Sequence, residues 1–263
     1  MDLSLQGKRA LVTASSRGLG YAVAKGLAQE GARVAINSRN SQRVNTAAEK
    51  LRSEVNAEVY AVSGDVSDPA TPIRIVEKAS STLGGLDILI TNSGGPPAGL
   101  FENFDDEAWQ QAIDLTFLSH VRLIRAALPY LYQSKAASVL SVTSYSVKQP
   151  IPNLVLSNSI RAATVGLTKT LALELGQEGI RFNSILPAWT ETERVYELMS
   201  HRAKVNNSTV EEEMAKQAKD SPLGRMGKPG EFANAAVFLV SPAASYITGV
   251  MLTVDGGMFK GIL

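Results

Sequence analysis

Seven short apolar runs, at residues 10–14, 34–37, 59–62, 88–91, 139–142, 182–186 and 251–254, are set apart by longer stretches of helical periodicity. This rhythm constrains the fold more than any other feature of the chain. Strand-length runs alternating with helix-length segments predict a parallel sheet with helices on both faces. Helices are expected at about 41–54, 69–83, 105–132 and 154–176, with others beginning near Tyr21 and Pro229. In the 154–176 stretch Ile160, Leu167, Leu171 and Leu175 recur at helical spacing. Right-handed crossovers between the strands then give an α/β, doubly wound sheet of about seven strands.

No internal repeat, low-complexity tract or Pro/Gly-rich linker divides the 263 residues, so a single domain over 1–263 is expected. Hydrophobic residues at 44% and charged residues at 19% are enough to bury a substantial core and argue against disorder. The net charge of +1, from 26 basic and 25 acidic side chains, leaves no electrostatic footprint for nucleic acid or an anionic membrane. The lack of cysteine removes disulfides, thiolate metal sites and thiol nucleophiles, and with only His120 and His201 no metal centre is expected. The first residues lack a signal peptide's hydrophobic core, and no stretch approaches the roughly 18 uninterrupted apolar residues of a membrane span. A cytoplasmic protein is expected. One segment breaks the rhythm, the polar and charged stretch at about 190–221. It reads as a lid over a site or, alternatively, as a surface helical pair with no gating role.

The first apolar run is followed by Ser15-Ser16-Arg17-Gly18-Leu19-Gly20 and then a helix. Such a turn aims backbone N–H groups and a helix N-terminus at a pyrophosphate. The second run ends at Asn37-Ser38-Arg39, where a protein gripping both hydroxyls of an NAD adenosine ribose would carry a carboxylate. Ser38 has no charge to repel a phosphate, and Arg17 and Arg39 could hold the 2′-phosphate of NADP with planar charged forks. The alternative is that both arginines are solvated surface groups.

Thr13-Ala14-Ser15-Ser16-Arg17-Gly18-Leu19-Gly20 resembles the Thr-Gly-x-x-x-Gly-x-Gly turn of the short-chain dehydrogenase/reductase family, with Ala14 in place of the first glycine. Further segments follow in family order. Gly64-Asp65-Val66 matches the aspartate that meets the adenine, and Thr91-Asn92-Ser93-Gly94-Gly95 resembles the Asn-Asn-Ala-Gly motif. Pro187-Ala188-Trp189-Thr190-Glu191-Thr192 resembles the segment that wraps the nicotinamide, which makes Trp189 a candidate pocket wall. Residues 222–227, 245–249 and 254–257 carry the family's C-terminal pattern. The resemblance spans essentially the whole chain and is nearest to 3-oxoacyl-acyl carrier protein reductase-like members. It implies a Rossmann-type fold, NADP(H), a small carbonyl or acyl substrate and a homotetramer paired through the helices near 105–132 and 154–176.

Carbonyl reduction needs a hydride at carbon and a proton at oxygen. The family pairs the nicotinamide with a tyrosine acid, whose pKa of roughly 10 is lowered by a lysine four residues later. A serine thirteen residues before the tyrosine polarises the carbonyl. By this resemblance Ser144 is the polarising serine, Ser157 stands at the tyrosine position, Arg161 at the lysine position and Thr116 at that of a supporting asparagine. Ser157 and Arg161, at i and i+4, share a helix face. An alkyl hydroxyl can orient a carbonyl but is a poor proton donor, and arginine, with a pKa above about 12, keeps the charge without shuttling protons. Ser157 is otherwise a helix hydroxyl bonded back to a carbonyl. Tyr145, beside Ser144, could supply a displaced acid if a turn brings it inward, or it is a half-buried packing aromatic. The expectation is an NADP(H)-dependent oxidoreductase with atypical proton delivery. The alternative is a non-catalytic NADP(H)-binding sensor or scaffold.

Overall fold

In the computed structural model, which describes residues 1–262, the seven runs form one sheet of order β3-β2-β1-β4-β5-β6-β7. The strands are β1 (Arg9–Val12), β2 (Arg33–Ser38), β3 (Val59–Ser63), β4 (Ile88–Thr91), β5 (Ser138–Val142), β6 (Arg181–Pro187) and β7 (Met251–Val254), and every neighbouring pair is parallel. The helices are α1 (Gly18–Gln29), α2 (Ser41–Val55), α3 (Thr71–Leu83), α4 (Asp106–Ile113), α5 (Ser119–Leu131), α6 (Val155–Leu175), α7 (Glu193–Asn206), α8 (Val210–Lys219) and α9 (Pro229–Val240). The chain builds outward from β1 to β3, then returns to β4 on the other side of β1. That reversal parts the crossovers above β1 and β4 and opens a crevice at the C-terminal strand ends.

Alternation along the strands divides the core. Val12, Ile36, Ile90 and Leu140 face α1, α2 and α9, where Leu27, Leu51 and Phe232 are fully buried. Leu11, Leu89, Val139 and Phe182 face the opposite way, onto Ile75 and Leu83 of α3 and Leu123 and Leu131 of α5. Each such side chain contributes about 1.5–3 kcal/mol by leaving water, so the sheet is held from both sides. At the N-terminal edge Arg9 closes β1 onto the start of β4 through a two-pronged pair with Asp87, at 2.9 and 2.8 Å.

Two boundaries differ from the sequence expectation. The first strand stops at Val12, because Ala14 takes a left-handed backbone (φ 46°) and turns the chain away from the sheet. The helix expected over 105–132 is interrupted by a wide π turn at Asp114–Leu118, between α4 and α5. The polar stretch at 190–221 holds two helices, each opened by a threonine: Thr192 accepts from the Val195 N–H, and Thr209 forms a reciprocal cap with Glu212. Among the described residues no helix is long and apolar enough to cross a membrane.

Candidate active site

A cleft of about 500 Å³ runs along the C-terminal ends of the strands, from Arg39 and Asp65 at one end to Ser157 and Trp189 at the other. Its middle is the turn between β1 and α1. Ala14 donates its N–H to the Asn37 side chain at 3.3 Å and accepts from the Asn92 side chain at 3.2 Å, which holds the left-handed conformation on both sides. Gly18 also has a positive φ, of 59°. Gly20 is required by packing, since a side chain there would begin 2.8 Å from the Ala14 carbonyl oxygen and 2.9 Å from the Asn92 amide. The tight turn leaves the first N–H groups of α1 directed into the cleft, an arrangement suited to a pyrophosphate.

The structure does not bring every sequence candidate to the cleft wall. Thr13 is fully buried, with its hydroxyl donating to the Asn92 carbonyl at 2.7 Å and accepting from the Asn92 N–H at 2.8 Å. Ser15 is equally buried and donates to the Val12 carbonyl at 2.6 Å. Both shape the turn from behind, as does Gly20. Thr116, within the π turn, donates its hydroxyl back to the Ala112 carbonyl at 2.7 Å, and its own carbonyl accepts from Thr164 at 2.9 Å. Its side chain is therefore spent on the helix and does not line the cleft.

At the adenosine end Ser38, Arg39, Asp65 and Val66 line the wall together with Ser16, Arg17 and Leu19. Arg39 has no carboxylate partner among the described residues, whereas Arg17 meets Glu197 of α7 at 3.2 Å with both side chains about half exposed. Arg43, which sequence reasoning missed, joins this group because Asn40 caps α2 and sets Arg43 in the first turn, facing back to the cleft. Three arginines around an uncharged serine suit a phosphate ester far better than a diol.

At the other end Asn92, Ser93 and Gly94 meet Ser144, Tyr145, Ser157, Arg161, Pro187, Ala188, Trp189, Thr190 and Thr192 on one wall. Ser144, two residues past β5, caps a short 3-10 turn, Tyr145–Val147, by accepting from the Ser146 N–H at 3.1 Å. That turn carries Tyr145 into the wall, and burial raises the pKa of its phenol. Arg161 is only 7% exposed and donates to the Val142 carbonyl at 3.4 Å and the Gly94 carbonyl at 3.3 Å. Burial, reinforced by the neighbouring charge of Arg194, lowers its guanidinium to about 10, below the value expected from sequence, though it stays charged at neutral pH. Behind it His120 is fully buried, 2.7 Å from the Thr91 hydroxyl, and burial drops its pKa to about 3, so it is neutral. Trp189 is 8% exposed, stacked under the Arg202 guanidinium at 5.0 Å, and its indole N–H is directed at the Tyr145 phenol.

The glycine turn, the three-arginine end and the hydroxyl-rich end together fit a phosphorylated nicotinamide dinucleotide lying along the strand ends. Tyr145, Ser157 and Trp189 line the same cleft.

Residues 13–259 match a protein-family model described as enoyl-(acyl carrier protein) reductase. The dehydrogenase/reductase SDR family member 4 of Bos taurus is 35% identical over 254 residues, covering 96% of this chain and 88% of its own length. Among solved structures, L-sorbose reductase from Gluconobacter frateurii, complexed with NADPH and L-sorbose, matches with a TM-score of 0.95 at 33% identity over 100% of both chains. An NADPH-bound short-chain oxidoreductase of Pseudomonas aeruginosa PAO1 containing an atypical catalytic centre matches with a TM-score of 0.88 at 32% identity, over 97% of this chain and 98% of that one.

Proposed function

Because the chain belongs to the short-chain dehydrogenase/reductase family, we propose that it is a 3-oxoacyl-acyl carrier protein reductase-like carbonyl reductase in which Ser157 and Arg161 replace the family's proton-donating tyrosine and its lysine. The cofactor is NADP(H), as in the structures of its relatives. Arg17, Arg39 and Arg43 would hold its 2′-phosphate, the turn at 14–20 its pyrophosphate, and Arg161 the nicotinamide ribose. Bound in this way, NADPH supplies the hydride. Ser144 and Ser157 hydrogen-bond the substrate carbonyl and fix its carbon toward the nicotinamide, while Trp189 keeps water from that face. Two electrons and a proton arrive as hydride at carbon, a second proton arrives at oxygen, and an alcohol and NADP⁺ are left.

The observation that carries this reading is the continuity of the cleft. A dinucleotide-sized groove ends at two hydroxyls and a buried cation on one wall. The relative with an atypical centre that binds NADPH supports it. The proton comes either from the Tyr145 phenol, which burial makes a weaker acid than a free phenol, or from water. Tyr145→Phe separates the two: a loss of more than about tenfold assigns the proton to the phenol, since a positioned acid contributes about 10²–10⁴ in rate. Residues 190–221 act as a lid on the single domain, and exposed apolar side chains on α6 such as Leu173 support pairing into a homotetramer.

The test is single-turnover oxidation of bound NADPH on mixing with a panel of carbonyl compounds. Substrate-dependent loss of the reduced nicotinamide is expected. No loss with any carbonyl would reject the reductase in favour of an NADP(H)-binding protein without turnover.

A further inference from the structure

Two arginines and no carboxylate line the reaction end of the cleft, although Asp220 and Asp255 act on Tyr145 from outside the lining. Arg161 reaches it from α6 and Arg194 from the first turn of α7, and both address the same short loop. Arg161 donates to the Gly94 carbonyl at 3.3 Å, and Arg194 donates to the Pro96 carbonyl at 3.4 Å. Those carbonyls are two residues apart, within about 7 Å along the chain, and the two guanidiniums are near enough for the charge of Arg194 to lower the pKa of Arg161. Arg161 makes no salt bridge among the described residues, and Arg194 has only a loose one, 3.8 Å from Glu197.

The cleft's two carboxylates lie elsewhere. Glu193 sits over the glycine turn, 3.8 Å from where a Gly18 side chain would begin, and Asp65 is at the adenosine end. The remaining polar groups here can all donate: the hydroxyls of Ser144, Tyr145 and Ser157, and the Trp189 indole N–H, which is turned toward the Tyr145 oxygen. Ile151, Leu154 and Leu198 supply the rest of the wall. The buried charge of Arg161 is met only by two carbonyl oxygens, with no carboxylate to balance it. The ribose hydroxyls that Arg161 would hold are neutral and do not balance it.

We propose that the substrate is a short oxo acid, whose carboxylate is gripped by Arg194 and Arg161 while its carbonyl lies between Ser144 and Ser157. The inference rests on the reductase reading, but the anion site is measurable without turnover. Arg194 is here a substrate-binding residue that fixes which carbonyl compounds are turned over.

Two measurements test it. In the first, kcat/KM is compared for a homologous series of 2-oxo and 3-oxo acids and their methyl esters. The acids should be favoured by about tenfold to a hundredfold, the worth of one charge-assisted hydrogen-bonded pair, and Arg194→Gln should collapse that ratio by raising KM for the acids. In the second, the NADPH-loaded protein is titrated by calorimetry with the matching saturated carboxylates and with their esters. Carboxylate binding that Arg194→Gln weakens at least tenfold supports the site even if no compound is reduced, in which case the reductase reading alone fails. Equal binding of acid and ester overturns the proposal. So does an Arg194→Gln variant whose only change is weaker NADPH binding, which would assign Arg194 to the cofactor's pyrophosphate.

Discussion

The two ends of the cleft are built from different materials. At the glycine turn the cradle is built largely from backbone: Ala14 and Gly18 hold left-handed conformations, Gly20 leaves room that no side chain could share, and Thr13 and Ser15 brace the turn from behind. At the reaction end the proposed chemistry hangs on a few side-chain identities, Ser144, Ser157 and Arg161. Changing a backbone device disturbs the fold, whereas changing Ser157 alters a hydroxyl and little else. The first end is therefore constrained by geometry, and the second is free to change its reaction while NADP(H) binding persists.

The sharpest way to break this comparison is to rewrite the reaction end alone. Ser157→Tyr combined with Arg161→Lys should restore a phenol and the ammonium that lowers its pKa, raising carbonyl reduction by about 10²-fold or more with NADPH affinity unchanged. Steady-state kinetics on the best substrate of the panel checks it, and a double variant that binds NADPH yet gains nothing would show that the wall is not arranged around a carbonyl.

Rewriting the backbone end should instead cost stability. Gly20→Ala places a methyl group against the Ala14 carbonyl and the Asn92 amide. The expected loss is about 2 kcal/mol, seen as a Tm lowered by roughly 5 °C, together with weakened NADPH binding. A variant with native Tm and native affinity would mean that the turn yields more easily than its geometry implies.

A smaller effect is expected where a side chain tunes the backbone end. Ser38→Asp puts a carboxylate beside the 2′-phosphate and offers an acceptor to ribose hydroxyls, so NADPH should weaken and NADH tighten, each by about tenfold. Calorimetric titration of both cofactors reads this directly, and an unchanged preference would remove Ser38 from the phosphate site.

The smallest effect belongs to the contact that joins the two ends. Glu197 on α7 competes for Arg17, and because both side chains are about half exposed the pair is worth well under 1 kcal/mol. Glu197→Gln should tighten NADPH about twofold at low salt and make no difference at high salt. A large change would indicate that α7 moves with the cofactor.

How much of this was legible in the sequence follows the same division. The strand at 88–91 falls where the apolar run puts it, because burial on both faces leaves a continuous signal. The end of β1 was misread since Ala14 is apolar and passes for a strand residue, while its left-handed φ is fixed by Asn37 and Asn92, which come from other strands. The register of Ser144, Ser157 and Arg161 could be read by spacing, and the structure gathers them on one wall. Spacing could not show that Thr116 sits in a widened turn with its hydroxyl bonded backward. Nor could it single out Arg43 and Arg194, since an arginine on a polar helix reads as solvated until the cleft beside it is known. Tyr145 needed a turn to reach the wall, and only the 3-10 conformation after Ser144 supplies one.

The alanine in the glycine turn has a thermodynamic consequence of its own. In the unfolded chain alanine explores far fewer conformations than glycine, and in the folded chain two flanking amides pin it in a left-handed state that costs about 1 kcal/mol. The cradle for the pyrophosphate is thus ordered before the cofactor arrives, and little entropy remains to be lost on binding. Ala14→Gly would release the strain and loosen the loop together. The dissociation constant for NADPH should hardly move, while the heat released and the entropy lost on binding both grow, each hiding the other.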